Sequence, residues 1–155
     1  MNVLQWIVCS ALLQCIARST LNSIPPGGRI AMDEVNQILH DLKSDDWTVR
    51  QEAVSRIGQI RDPGVLDHLL ARLRTEKWYI REAVASGISS LNDPRVGDPL
   101  VRCLSDDDDI VRNACARALG NMHYKKAEKA LEKAANDPHG RVRKSARAAL
   151  EKMRD

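Results

Sequence analysis

Four cysteines and four histidines are the side chains of this 155-residue chain best suited to hold a metal or act as nucleophiles. Their spacing speaks against both. Cys9, Cys15, Cys103 and Cys115 include no CxxC pair and no second ligand cluster, so they do not form a zinc pattern. Cys115 stands where other copies of a repeated stretch carry small residues and reads as a packed core thiol. With Cys103 it points to a reducing compartment. His40, His68, His123 and His139 each stand alone and read as surface residues. The acidic run Asp106–Asp109 lacks the glycine and distal glutamate of a calcium loop. Its carboxylates are expected to cap a helix and face water. No catalytic residue, metal or cofactor is expected.

The elements around these residues carry more information. "WTVRQEAVSRIG" from Trp47 returns as "WYIREAVASGIS" from Trp78, "DIVRNACARALG" from Asp109 and "GRVRKSARAALE" from Gly140, a step of 31 residues each time. Counting from Val49, Ile80, Val111 and Val142, apolar residues recur at offsets 0, 4, 8 and 11. That is one stripe of a 3.6-residue helix. A second helix precedes each copy, with stripes Val35-Ile38-Leu39-Leu42, Val65-Leu66-Leu69-Leu70-Leu73, Val96-Pro99-Leu100-Val101-Leu104 and Ala127-Ala130-Leu131-Ala134. Asp62-Pro63-Gly64 and Asn92-Asp93-Pro94 separate helices, because proline ends one helix and suits the first turn of the next. Ser44-Asp45-Asp46, Asp106-Asp107-Asp108 and Asn136-Asp137-Pro138 precede the copies and supply capping side chains. A fixed period with two helices per unit predicts an all-α solenoid, in which neighbours stack because one unit cannot bury its own stripe.

Composition agrees. Apolar residues make up 43% and charged residues 29%, with no Phe, which suits a core of closely packed Leu, Ile, Val and Ala. The net charge of +3 names no partner, but its distribution is uneven. Residues 33–111 hold 10 Lys and Arg against 16 Asp and Glu, whereas residues 112–155 hold 12 against 5.

Residues 1–31 match no repeat, and the repeat domain is expected to span 32–155. Three readings stay open for the first segment. Its apolar stretch has the length of a secretory signal but lacks a preceding basic residue and a clear cleavage site. It is too short, at about 15 residues against the roughly 20 of a membrane helix, to span a bilayer. "GGRIAM" is also what a purine-rich ribosome-binding site before an ATG gives when translated, which would make Met32 the start and the protein cytoplasmic. The third reading is an extra amphipathic helix over the first unit.

The period, "DxxVR", "AxxAL" and the loop proline resemble HEAT-like repeats of the phycobilisome-lyase type, and are similar to artificial alpha-helicoidal repeat proteins derived from them. The resemblance covers residues 33–155, about four units. Gly87 in place of the alanine of "AxxAL", and Tyr124-Lys125-Lys126 in place of the third Asp-Pro turn, depart from it. It implies a right-handed superhelix whose concave face is lined by the helices carrying Val-Arg, here the VR helices. Arg50, Arg81, Arg112 and Arg143 would then be structural, each linking a loop carboxylate to the next unit, with Asp46 and Asp108 as candidate partners.

In the artificial family the outward positions of the VR helix face the partner, and the resemblance implies the same here. The candidate binding residues are Trp47, Thr48, Gln51, Ser55, Trp78, Tyr79, Glu82, Ser86, Asn113, Arg117, Arg141 and Lys144, with Glu52, Ala83, Ala114, Ser145 and Ala148 on the same outward offsets. Free variation of residue type along most of this set agrees with exposure. Trp47 is balanced between binding and packing over its own loop; the Trp78–Tyr79 pair favours binding. The expected function is a non-catalytic scaffold for a partner protein or peptide. Nucleic-acid binding through Arg117, Arg141, Lys144, Arg147 and the lysines of "KKAEKALEKAA" is the alternative, opposed by the acidic first units. A bilin lyase or chaperone-like subunit is a further one. Deoxyhypusine hydroxylase, another HEAT-like family, binds iron through His-Glu pairs, and no His is followed by Glu here.

Overall fold

In the computed structural model, residues 26–91 and 93–154 are described, with side chains from Met32 onward. The readings of the N-terminal segment lie largely outside the described residues, although the first helix already begins at Pro26, ahead of Met32.

Each apolar stripe forms a helix. They are α1 (Pro26–Leu42), α2 (Trp47–Ile57), α3 (Pro63–Arg72), α4 (Trp78–Ile88), α5 (Gly97–Cys103), α6 (Asp109–Asn121), α7 (Glu128–Ala134) and α8 (Gly140–Arg154). Single 3₁₀ turns, Pro94–Val96 and Lys125–Ala127, lead into α5 and α7. The described residues contain no strand. Capping follows the sequence pattern. The Asp46, Asp62, Asp93 and Asp108 carboxylates accept hydrogen bonds from backbone N–H groups of the following helical turn. Pro63 and Pro94 occupy the first turn, where no N–H donor is needed.

The chain is an α-solenoid of four two-helix units. One layer holds α1, α3, α5 and α7; the other holds the VR helices α2, α4, α6 and α8. Their stripes meet in one continuous core. Ile57, Ile88 and Leu119, equivalent residues of successive units, are fully buried. Val49 and Leu150, at the two ends of the VR layer, are half-buried, with no further described VR helix beyond them. Successive VR helices pack along the whole stack, whereas beyond α1 and α3 the other layer's helices make few contacts with one another. A stack in which one layer touches and the other splays curves towards the touching layer.

That close approach alters one sequence expectation. Ala83 and Ala114 are buried rather than outward-facing. Consecutive VR helices approach closely on either side of them, at Gly87 against Ile57 and at Gly120 against Ala149. The two departures from the repeat also have packing reasons. A Cβ on Gly87 would sit 2.7 Å from Cβ of Ile57, so α4 could not lie as close to α2 with alanine there. Tyr124 lays its ring over Gly97, where a Cβ would come within 2.3 Å of the ring, and donates its hydroxyl to Asp98 Oδ1 at 2.7 Å. His123 just before it has φ 49°, the left-handed residue that closes α6, with Tyr124 N donating to Leu119 O at 3.2 Å. Tyrosine thus ties the start of α7's unit back to the unit before it.

Candidate interaction surface

Arginine side chains fix the angle between units. Arg81 donates from Nε and Nη2 to the Asp106 carboxylate at 2.8 and 2.6 Å, and from Nη1 to Glu76 O at 2.7 Å. Arg112 repeats this with Asp137 at 2.8 and 3.1 Å and with Asp106 O at 2.8 Å. Both pairs are largely shielded, with side chains 16% and 10% exposed for the first and 11% and 9% for the second. A guanidinium that meets a carboxylate through two parallel bonds fixes orientation as well as charge. The Arg112 hydrogen bonds hold the Asp137 carboxyl below its ordinary value of 3.8, against the opposing effect of burial. Hydrogen bonding to Asp106 and Asp137 raises the Arg81 and Arg112 guanidinium values in turn.

The carboxylates are not the two expected. Asp46 and Asp108 accept from Thr48 N at 2.7 Å and Ile110 N at 2.9 Å and cap their own helices. The arginine reaches instead the residue two positions before the cap of the following VR helix, 25 residues beyond itself. The corresponding positions in the four units are Ser44, Thr75, Asp106 and Asp137. Reading that column would have shown two aspartates in register with two arginines. Arg143 donates to Asp137 O and Pro138 O, both at 2.8 Å. Arg50 donates from Nη1 to Ser44 O at 2.6 Å and makes no ion pair among the described residues.

Two clefts open between VR helices. One, of about 490 Å³ between α2 and α4, brings together Gln51, Trp78, Tyr79 and Glu82 of the expected binding residues, beside Arg50, Leu42 and Val54. Trp78 and Tyr79 stack edge to face, with ring centroids 5.8 Å apart at 89°. Trp78 is 45% exposed, while Tyr79 packs partly against the core. The other cleft, of about 480 Å³ between α6 and α8, brings together Asn113, Arg117, Arg141 and Lys144 over a floor containing Gly120 and Ala149. Its rim is partly tied. Arg141 lies 3.2 Å from Asp109, Ser145 donates to Asn113 at 2.7 Å, and Lys152 donates to Asn121 at 2.8 Å. Arg117 and Lys144 are exposed and make no side-chain hydrogen bond among the described residues.

Four expected residues lie outside both clefts. Trp47, 66% exposed, does not fold over its own loop. Thr48 and Ser55 are exposed, and Ser86 donates its hydroxyl to Glu82 at 2.9 Å. A third cavity, of about 430 Å³, lies among the loops and the other helix layer, lined by Arg74, Arg81, Arg102, Asp106 and Cys103. It was not anticipated, since its residues come from three helices and the loops between them. The described residues hold no group of three or more metal-ligating side chains, and no described helix is long and apolar enough to cross a membrane.

A family model of HEAT repeats matches residues 33–120 and 98–155. The chain belongs to the HEAT-repeat family. Among solved structures, the complex of CpcE and CpcF of phycocyanin lyase from a Nostoc species is similar, with 23% identity and a TM-score of 0.61 over 77% of this chain and 53% of that one. Human deoxyhypusine hydroxylase shares 22% identity with a TM-score of 0.62 over 77% and 43%. A designed armadillo repeat protein shares 23% with a TM-score of 0.51 over 77% and 64%. The HEAT-repeat chain thus spans from 43% to 64% of the length of these structures, and at such identities the likeness carries the fold alone. No curated protein matches it in sequence.

Proposed function

We propose that this HEAT-repeat protein is a non-catalytic interaction module that binds a segment of a partner protein on the concave face formed by α2, α4, α6 and α8. One observation carries this reading. The two clefts on that face gather eight of the twelve expected binding residues, and each joins residues from two units. The fold supports it, since a stack of stiff units presents an extended surface that one unit lacks. Exposed tryptophan beside tyrosine is a frequent anchor of protein interfaces. The unpaired cations Arg117 and Lys144 complement an acidic segment at the other end. Two unpaired buried thiols, Cys103 and Cys115, support a reducing compartment.

The test is a pull-down from the native host with wild-type protein and a Trp78→Ala, Arg117→Glu variant, matched by circular dichroism. The variant is expected to lose the partners that the wild type recovers. Recovery of the same partners by both proteins removes the concave-face reading.

A further inference from the structure

The Arg50 site is an unfilled copy of a bond the protein makes twice elsewhere. At Arg81 and Arg112, Nη1 is anchored on a backbone carbonyl just ahead of the helix while Nε and Nη2 grip an aspartate. Arg50 is anchored in the same way, on Ser44 O. The residue in register to fill its other edge is Thr75, which has no carboxylate. The half-buried Arg50 guanidinium retains two donors, Nε–H and Nη2–H, for a planar acceptor.

The surroundings differ from the other two sites in a way that suits a visitor. Arg50 lines the cleft of about 490 Å³ whose wall carries Trp78 and Tyr79 and whose lining includes Leu42 and Val54. A volume of this size falls within the ~300–1,000 Å³ of small-ligand sites. Glu82 and Asp45 balance the charge of Arg50 and Lys43 in the lining, so the free edge of the Arg50 fork, and not the net field of the cleft, selects a carboxylate.

We propose that the cleft between α2 and α4 reads an aspartate side chain of a partner segment, with Arg50 taking the carboxylate as Arg81 takes Asp106 and the Trp78–Tyr79 wall taking an adjacent apolar residue. The inference deepens the concave-face reading and rests on it.

Thr75→Asp provides the test, because it installs the internal aspartate found at the two later units. Binding is followed by NMR on the Arg50 Nε–H and the Trp78 indole N–H, with N-acetyl-aspartyl-leucinamide as probe and its asparagine counterpart as control. The wild type is expected to show saturable shifts at both signals with the aspartyl probe, and affinity about tenfold or more weaker with the asparaginyl one. Thr75→Asp is expected to melt no lower than wild type and to lose binding of the aspartyl probe by a similar factor. Equal affinity of the two probes, or unchanged binding in Thr75→Asp, overturns the proposal. Tighter binding of N-acetyl-leucine overturns it in favour of a chain-terminal carboxylate. If Thr75→Asp still recovers the partners that Trp78→Ala, Arg117→Glu loses, the Arg50 site falls and the concave-face reading stands.

Discussion

Asp137 shows how a single side chain couples two units. It accepts from Arg112, and its Oδ1 also accepts from His139 N at 2.8 Å, so it braces the unit before it while fixing the turn that leads into α8. Its folded value lies below the ordinary 3.8, so its contribution is complete above the unfolded value and is lost as pH falls through the folded one. Asp137→Asn is therefore expected to cost about 1–3 kcal/mol at pH 7, where it leaves a shielded arginine underpaired. The difference from wild type should shrink below about pH 4. Urea titrations at both pH values check this; an equal difference at both would show that charge is not what the residue contributes. The two described thiols make a second contrast. Cys115 is fully buried and its value is pushed well up by desolvation, whereas Cys103 borders the 430 Å³ cavity and is held lower by its hydrogen bond with Cys115. Brief iodoacetamide treatment of native protein is expected to label Cys103 first, with Cys115 reacting only once the chain unfolds. At this scale the capping aspartates were legible in the sequence, because a cap and its N–H groups are neighbours in the chain. The arginine partners were not, because a bond across 25 residues depends on how two units stack.

Helices were the most legible level. Every stripe from Val35 to Met153 corresponds to a helix, since the spacing of apolar residues and the proline and aspartate punctuation are local properties. Less legible was how closely two helices approach. Ala83 and Ala114 read as outward by angle alone, yet they are buried. Gly87 read as a departure from the repeat and proves to be where α4 meets Ile57 of α2. Gly87→Ala would gain helix propensity of about 1 kcal/mol in an isolated helix. In the stack the new Cβ meets Ile57 Cβ at 2.7 Å and Val54 O at 3.0 Å, so a net destabilisation of about 1–3 kcal/mol is expected from overpacking. Thermal unfolding checks the sign. A rise in the midpoint would mean that α2 and α4 separate without cost.

Over the whole molecule, the bracing is uneven. The Arg81–Asp106 and Arg112–Asp137 bonds tie α4 to α6 and α6 to α8. Thr75 leaves no equivalent between α2 and α4, and packing between VR helices is also most extensive at α6 and α8. Amide hydrogen exchange is expected to be faster in α1 and α2 than in the central turns of α6, and Thr75→Asp to slow it in α2. Uniform protection along the stack would remove the difference. Charge asymmetry between the halves was visible in composition, but the two clefts were not, because each depends on how successive units stack. Without that brace, the gape of the α2–α4 opening is expected to vary more than that of the α6–α8 opening, which the Arg112–Asp137 pair spans.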